Sequence, residues 1–145
     1  MIETEFFDTN IILYAKVDTA SPKHAIAKAL LEEKIQYGEP WICVQVVNEF
    51  TVNAIRKAME LSEVEAIAGE LLTHFHVQSL TPKLVIDAFR IMKRYRFSFW
   101  DSLIVSAALD SQCTVLYTED MQHGQWIDGV LEIRNPFFNS HQKGE

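Results

Sequence analysis

The sequence predicts an α/β protein, a mostly parallel sheet of four or five strands with helices on both faces. Three observations lead there. Short runs rich in β-branched and aromatic residues alternate with apolar residues at helical spacing from one end of the chain to the other. No internal repeat, low-complexity stretch or long linker interrupts that alternation. The 145 residues, 48% apolar and 23% charged, suit one globular domain. A chain of this size buries roughly two-thirds of its unfolded surface, so a metal is not needed merely to fold it.

The elements follow in order. Glu3 to Phe7 reads as a strand that passes through Leu13-Tyr14-Ala15 into a turn or helix. Ser21-Pro22 predicts a helix start, with Ser as cap, Pro at the first helical position and Ala25, Ile26, Ala29 and Leu30 as the apolar stripe. Gly38 and Pro40 stop it. Trp41 to Val44 is a second strand, and Val46, Val47, Phe50, Ala54 and Ile55 line one face of the next helix. Ser62 with Glu65 resembles a capping box opening a helix through Leu72.

His76 to Leu80 is a third strand, and Thr81-Pro82 opens a helix with Leu84, Val85, Ala88, Phe89 and Met92 on its apolar side. Asp101 begins another, carrying Leu103, Ile104, Ala107 and Ala108. Thr114 to Tyr117 is a fourth strand and Val130 to Ile133 a fifth. The domain is expected to span residues 1–138, with a loose polar tail over 139–145.

Cys43 and Cys113 lie in apolar runs without the close spacing of a zinc or redox motif, and read as reduced core residues. Glu3 and Glu5 stand where a secretory signal would carry basic residues, and no apolar run reaches membrane-spanning length. The expected compartment is the cytoplasm. The formal charge of -7 argues against a large nucleic-acid footprint. Arg90, Lys93, Arg94 and Arg96 nevertheless form a basic stretch with Tyr95 and Phe97 interleaved. It is either a solvated helix face or a cationic rim beside an acidic pocket.

That pocket is suggested by four acids at structural joints: Asp8, Glu49, Asp101 and Asp120. Asp8 and Asp120 follow predicted strands, and in open α/β sheets ligands bind beyond the carboxyl ends of the strands. Glu49 and Asp101 lie in early turns of helices, which can point at the same edge. Carboxylates in apolar settings are paired, protonated or bound to a cation, and a divalent metal is the simplest shared partner. Each acid also has an ordinary alternative: Asp8 with Asn10 a turn, Asp101 a helix cap, Glu49 a surface residue, Asp120 a loop residue.

Taken in order, Phe6-Phe7-Asp8-Thr9-Asn10, Asn48-Glu49-Phe50, Phe99-Trp100-Asp101-Ser102-Leu103-Ile104 and Thr118-Glu119-Asp120 resemble the PIN-domain ribonucleases, and within them the VapC-type toxins of toxin–antitoxin pairs. The resemblance runs from Phe6 to about Ile133. It implies a three-layer α/β/α sandwich whose acidic crevice holds Mg²⁺ or Mn²⁺ and cleaves RNA. It also implies Asp8, Glu49, Asp101 and Asp120 as the acidic cluster, with Asn10 and Thr118 as polar supporters. Glu119, beside Asp120, contributes through a water or not at all. A protein antitoxin and a homodimer are the implied partners, and the apolar helices around Ile55 and Leu71 are compatible surfaces.

Two other functions compete with this one. A haloacid-dehalogenase-like phosphatase also places an Asp after its first strand, but needs a second acid where this chain has Asn10. A catalytically silent binding module is expected to have lost acids of the cluster, and all four are present. His74 and His76 flank Phe75 without a metal-site spacing. His123 either borders the crevice or serves a loop, and Trp41 and Trp100 are expected in the core rather than as base-stacking platforms.

Overall fold

The computed structural model describes residues 3–139. Strands β1 (Thr4–Phe7), β2 (Glu39–Cys43), β3 (His76–Gln78), β4 (Val115–Tyr117), β5 (Trp126–Ile127) and β6 (Leu131–Arg134) form one sheet in the order β3-β2-β1-β4-β6-β5. Only the β5–β6 pair is antiparallel. Between the strands run α1 (Thr9–Lys16), α2 (His24–Tyr37), α3 (Val44–Arg56), α4 (Leu61–His74), α5 (Pro82–Tyr95) and α6 (Phe99–Asp110). The mostly parallel α/β fold is the one the sequence predicts.

The chain steps from β1 outward to β2 and β3, then returns to β4 on the other side of β1. Parallel crossovers are right-handed almost without exception. The two outward steps therefore put α1 to α4 on one face, and the return step puts α5 and α6 on the other. Contacts of α1 with α2 and α3, and of α5 with α6, agree. The direction reverses between β1 and β4, and at that switch point the following loops part and leave a crevice.

Phe6, Phe7, Ile42, Leu116 and Ile133 from the strands are fully buried, together with Ile11, Ile12, Val46, Phe50 and Ile91 from the helices. Apolar burial of this kind is the main favourable term in folding. Helix α6 is buried continuously from Ser102 to Ala108, so it packs on all sides rather than along the single stripe the sequence suggests. Cys43 and Cys113 are free and buried, as expected. Burial pushes both thiols up, to about 11 and about 12.

Several boundaries differ from the sequence reading. Helix α2 begins at His24, and Ser21 Oγ instead accepts the Lys23 N–H at 3.1 Å, so Ser21-Pro22 forms the turn before the helix. The Ser62–Glu65 capping box does not form, because α4 already starts at Leu61. The cause lies in the joint before it: Ala58 adopts a left-handed φ of 62°, with Met59 N–H bonded to Ala54 O and Ala58 N–H to Ile55 O. That Schellman turn folds the chain back at once and fixes where α4 begins. Pro40 lies inside β2, and Gly38 alone ends α2.

A sixth strand, β5, joins the four or five expected. Its signal is the Asp128-Gly129 pair, with φ of 53° and 71° and a Val130 N–H to Ile127 O bond of 3.0 Å. Positive φ at both central residues is the type I′ turn that Asp-Gly favours, and the pairing of Ile127 with Leu131 leaves a three-residue loop between the strands. From residue 140 onward, the tail expected to be loose lies outside the described residues.

Candidate active site

The register of β1 against β4 builds the floor of the site. Phe7 lies beside Tyr117, so the next residue of each strand, Asp8 and Thr118, emerges at the same edge. Asp8 N–H donates to Tyr117 O at 3.0 Å, and Thr118 Oγ1 donates to Asp8 Oδ2 at 2.8 Å. The other carboxylate oxygen, Asp8 Oδ1, accepts the Thr9 N–H at 2.7 Å and caps α1. The turn and the site are therefore the same feature at Asp8, not alternatives.

Thr118 is the hub. It is fully buried, and its hydroxyl donates to Asp8 while accepting the Asp120 N–H at 3.1 Å and the Asn10 side-chain amide at 3.4 Å. Asn10 Nδ2 also donates to Asp120 Oδ2 at 2.9 Å. Asp101 arrives from the other side of the sheet on α6. Ser98, not Asp101, caps that helix: Ser98 Oγ accepts the Asp101 N–H at 3.1 Å, which makes Asp101 the third helical residue. Ser98-Phe99-Trp100-Asp101 is the S-x-x-D pattern of a capping box, the signal by which Ser98 was legible in sequence.

One carboxylate oxygen from each of Asp8, Asp101 and Asp120 lies within 4.8 Å of the other two. Glu49, in the second turn of α3, faces the same cavity and accepts the Thr9 hydroxyl at 2.7 Å. Thr9 is thus a positioning residue that the sequence reading left unassigned. The cavity, about 190 Å³, is lined by these four acids with Asn10, Leu13, Trp100 and Ile104 among its walls.

The electrostatics follow from burial and proximity. Asp8 is pushed up from 3.8 to about 7, chiefly by burial, with added repulsion from Asp120 and Asp101; the bonds from Thr118 and Thr9 oppose the rise. Asp101 is raised as well, first by burial, then by Asp120 and Glu49, against a hydrogen bond from Ser98. A cation among these groups would relieve both effects.

The donor set fits a hard divalent ion. All candidate ligands are oxygens, and Mg²⁺ at roughly 2.0–2.1 Å from each ligand sets opposite ligands roughly 4.2 Å apart. The spread of up to 4.8 Å is slightly wider than that, so small side-chain rotations, or a water in place of one carboxylate, would complete the shell. In addition, Asn10 Oδ1 is buried with no hydrogen-bond partner, an orphaned acceptor of the kind a water or ion satisfies.

The remaining sequence candidates lie elsewhere. Glu119 does not line the cavity: its carboxylate accepts the Tyr14 hydroxyl at 2.6 Å and pairs with Lys23 at 2.6 Å. Those partners, on α1 and in the turn before α2, hold Glu119 away from the cavity, while Asn10 holds Asp120 at it. His123 accepts the Asn135 N–H at Nδ1 and stacks on Phe138, centroids 4.1 Å apart, in a separate cavity. His76 pairs with Glu39 at 2.6 Å.

Arg90, in the basic stretch, is engaged by Asp87 at 2.7 Å and Asp128 at 2.8 Å, while Lys93, Arg94 and Arg96 are exposed. None of the four lines the acidic cavity. Trp41 is partly buried against the core and stacks near His76. Trp100, expected in the core, is 56% exposed at the cavity wall; its place in the first turn of a helix capped by an exposed Ser98 keeps it at the surface.

Known proteins share this arrangement of elements. The PIN domain family matches residues 6–125. Similar solved structures include a toxin of Mycobacterium tuberculosis, VapC20, described as cleaving the sarcin-ricin loop. It is 21% identical over 80% of this chain and 91% of that one, with a TM-score of 0.67. A toxin–antitoxin complex from Klebsiella pneumoniae is 19% identical over 92% and 98%, TM-score 0.67. DNA-bound VapBC from Salmonella typhimurium is 15% identical over 94% and 99%, again with a TM-score of 0.67. At such identities the likeness is one of fold, and no curated protein sequence matches the chain. With the family matched across most of its length, the chain belongs to the PIN-domain family.

Proposed function

We propose that this protein is a divalent-metal-dependent endoribonuclease and the toxin of a toxin–antitoxin pair. The observation that carries the reading is the convergence of Asp8, Asp101 and Asp120, from three distant parts of the chain, to within 4.8 Å in one cavity that Glu49 also faces. Structural joints alone do not require three carboxylates to meet at a desolvation and repulsion cost.

In the proposed reaction Asp8, Asp101 and Asp120 supply oxygen ligands, with Glu49 beside them. When bound there, Mg²⁺ or Mn²⁺ lowers the pKa of an attacking water and offsets charge developing on the phosphate. Thr118 and Asn10 hold the two loop carboxylates in place through the bonds described above, and Thr9 does the same for Glu49. Such supporting bonds keep the acids from turning away when they are ionised.

Two rivals fit less well. In a phosphatase of the haloacid-dehalogenase type the residue at position 10 would act as an acid, but here Asn10 donates its amide to Asp120. A silent binding module has no use for the four acids that face this cavity.

An antitoxin partner is supported by structural neighbours that were solved as toxin–antitoxin complexes. Exposed apolar residues on α3 and α4, Ile55, Leu61 and Leu72, suit a protein partner; Leu71, expected near that surface, is buried. The same reading implies a homodimer and a cytoplasmic site of action. No helix among the described residues is long and apolar enough to cross a membrane.

The test is cleavage of a mixed cellular RNA pool by purified protein in Mn²⁺ or Mg²⁺ and in EDTA, with Asp8→Asn and Asp101→Asn proteins as controls for contaminating nuclease. Metal-dependent cutting lost in both variants is the expected result. Undiminished cutting by both variants would sink the assignment of these acids.

A further inference from the structure

The acidic cavity has a second kind of wall. Leu13, Trp100 and Ile104 line it beside the carboxylates, and Trp100 keeps more than half of its surface in water. Phe99 meets the indole edge to face, centroids 5.3 Å apart at 71°, and Phe99 in turn contacts Phe89 at 5.9 Å. These rings hold Trp100 at the first turn of α6, immediately before Asp101. Here a large aromatic surface stays exposed next to charge, where nothing among the described residues covers it.

The charge of the lining narrows what that surface can hold. Among the described residues the cavity wall offers four carboxylates and no Lys or Arg. Side chains there repel a phosphate chain, so a nucleic acid reaching the acids gains no help from direct ion pairs at the wall. What it can offer is the π-face of a base. Base–aromatic stacking tolerates any sequence and is a recurrent means of holding single strands. In a duplex both faces of every base are already stacked, so only an unpaired or extruded base can use such a platform.

We propose, resting on the nuclease reading above, that Trp100 stacks on an unpaired base adjacent to the phosphate at the carboxylates, and so positions the substrate at the cut. A protein partner is the other occupant such a surface could take, and the experiment separates the two.

Fluorescence anisotropy of a labelled oligoadenylate is measured in Ca²⁺, which takes the same oxygen donors as Mg²⁺, so that binding is read apart from cleavage. Wild-type protein is compared with Trp100→Ala and Trp100→Phe, and the oligoadenylate with an oligomer of abasic sugar-phosphate. Trp100→Ala is expected to weaken oligoadenylate binding roughly 5- to 150-fold, and Trp100→Phe to retain most of the affinity.

The abasic oligomer should bind wild type and Trp100→Ala alike, a non-additivity that a purely structural role would not produce. Thermal melts of both variants check that they are folded. Equal oligoadenylate affinity in wild type and Trp100→Ala overturns the proposal and points to a protein occupant instead; a loss that persists on the abasic oligomer overturns it as well. Binding through Trp100 by a protein that cuts no RNA in Mn²⁺ upholds stacking and counts instead against the nuclease reading. Cutting by wild type with Trp100→Ala unchanged in binding and cutting does the reverse.

Discussion

Thr118 Oγ1 donates a 2.8 Å hydrogen bond to Asp8 Oδ2 across 110 residues of sequence. That bond ties the end of β4 to the end of β1 and fixes the carboxylate at the centre of the site. Thr118→Val keeps the shape and removes the donor. It should lower metal-dependent cleavage roughly 10- to 100-fold, the usual cost of losing an outer partner of a metal ligand, and should raise the Asp8 carboxyl further. Activity within a factor of about two of wild type would show that the bond is structural only.

Asp8 makes the metal-free protein sensitive to pH. Its carboxyl sits at about 7 in the folded chain against 3.8 in the ordinary state. Between those values the folded state keeps a proton that the unfolded chain has released, so its contribution to stability is complete below about 3.8 and lost as pH rises through about 7. The gap corresponds to on the order of 4 kcal/mol. In EDTA, Tm should fall from about pH 5 to about pH 8, and Asp8→Asn should flatten that fall. A variant with the wild-type slope would place the titration elsewhere.

Asp101 tests whether the acids share one ion. Removing its charge relieves repulsion with Asp120 and Glu49, so Asp101→Asn should melt higher than wild type in EDTA at neutral pH. Ion at about a hundred times its Kd adds about 2.7 kcal/mol to wild type, and should add little to the variant. Calorimetry in EDTA and in Mn²⁺ reads both effects. A variant that is destabilised yet responds fully to Mn²⁺ would separate Asp101 from the site.

Glu119 should behave differently from its neighbour. Its bonds to Tyr14 and Lys23 tie the loop after β4 to α1 and to the turn before α2. Glu119→Gln is expected to cost about 1 kcal/mol of stability, as partly exposed charged bonds do, with the Mn²⁺-induced rise in Tm intact. Loss of that rise would return Glu119 to the metal site.

The basic stretch divides into two. Arg90 is spent on Asp87 and Asp128, whereas Arg94 and Arg96 are exposed. Replacing Arg94 and Arg96 by Ala should weaken RNA binding. The slope of log K against log salt should also become shallower, by roughly 0.7 for each single-strand phosphate that is no longer neutralised. An unchanged slope would leave that stretch a solvated helix face.

The alternation of strands and helices, the placement of Asp8 and Asp120 after strands, and the short list of acids are all legible in the residues alone. They are local signals: the spacing of apolar residues, and which residue follows which element. Two further local signals, the Ser98 cap before Asp101 and the Asp128-Gly129 hairpin, are present in the chain but escape a reading based on apolar spacing. Which acids meet is a matter of how distant elements pack. The register of Phe7 beside Tyr117 brings Asp8 to Thr118, and the reversal of strand order at β1 opens the crevice into which α6 delivers Asp101 from the opposite face. Glu119 and Asp120 are equally acidic and adjacent, yet only Asp120 lines the cavity. No local pattern distinguishes them, because the choice depends on Tyr14, Lys23 and Asn10, between 96 and 110 residues away in sequence.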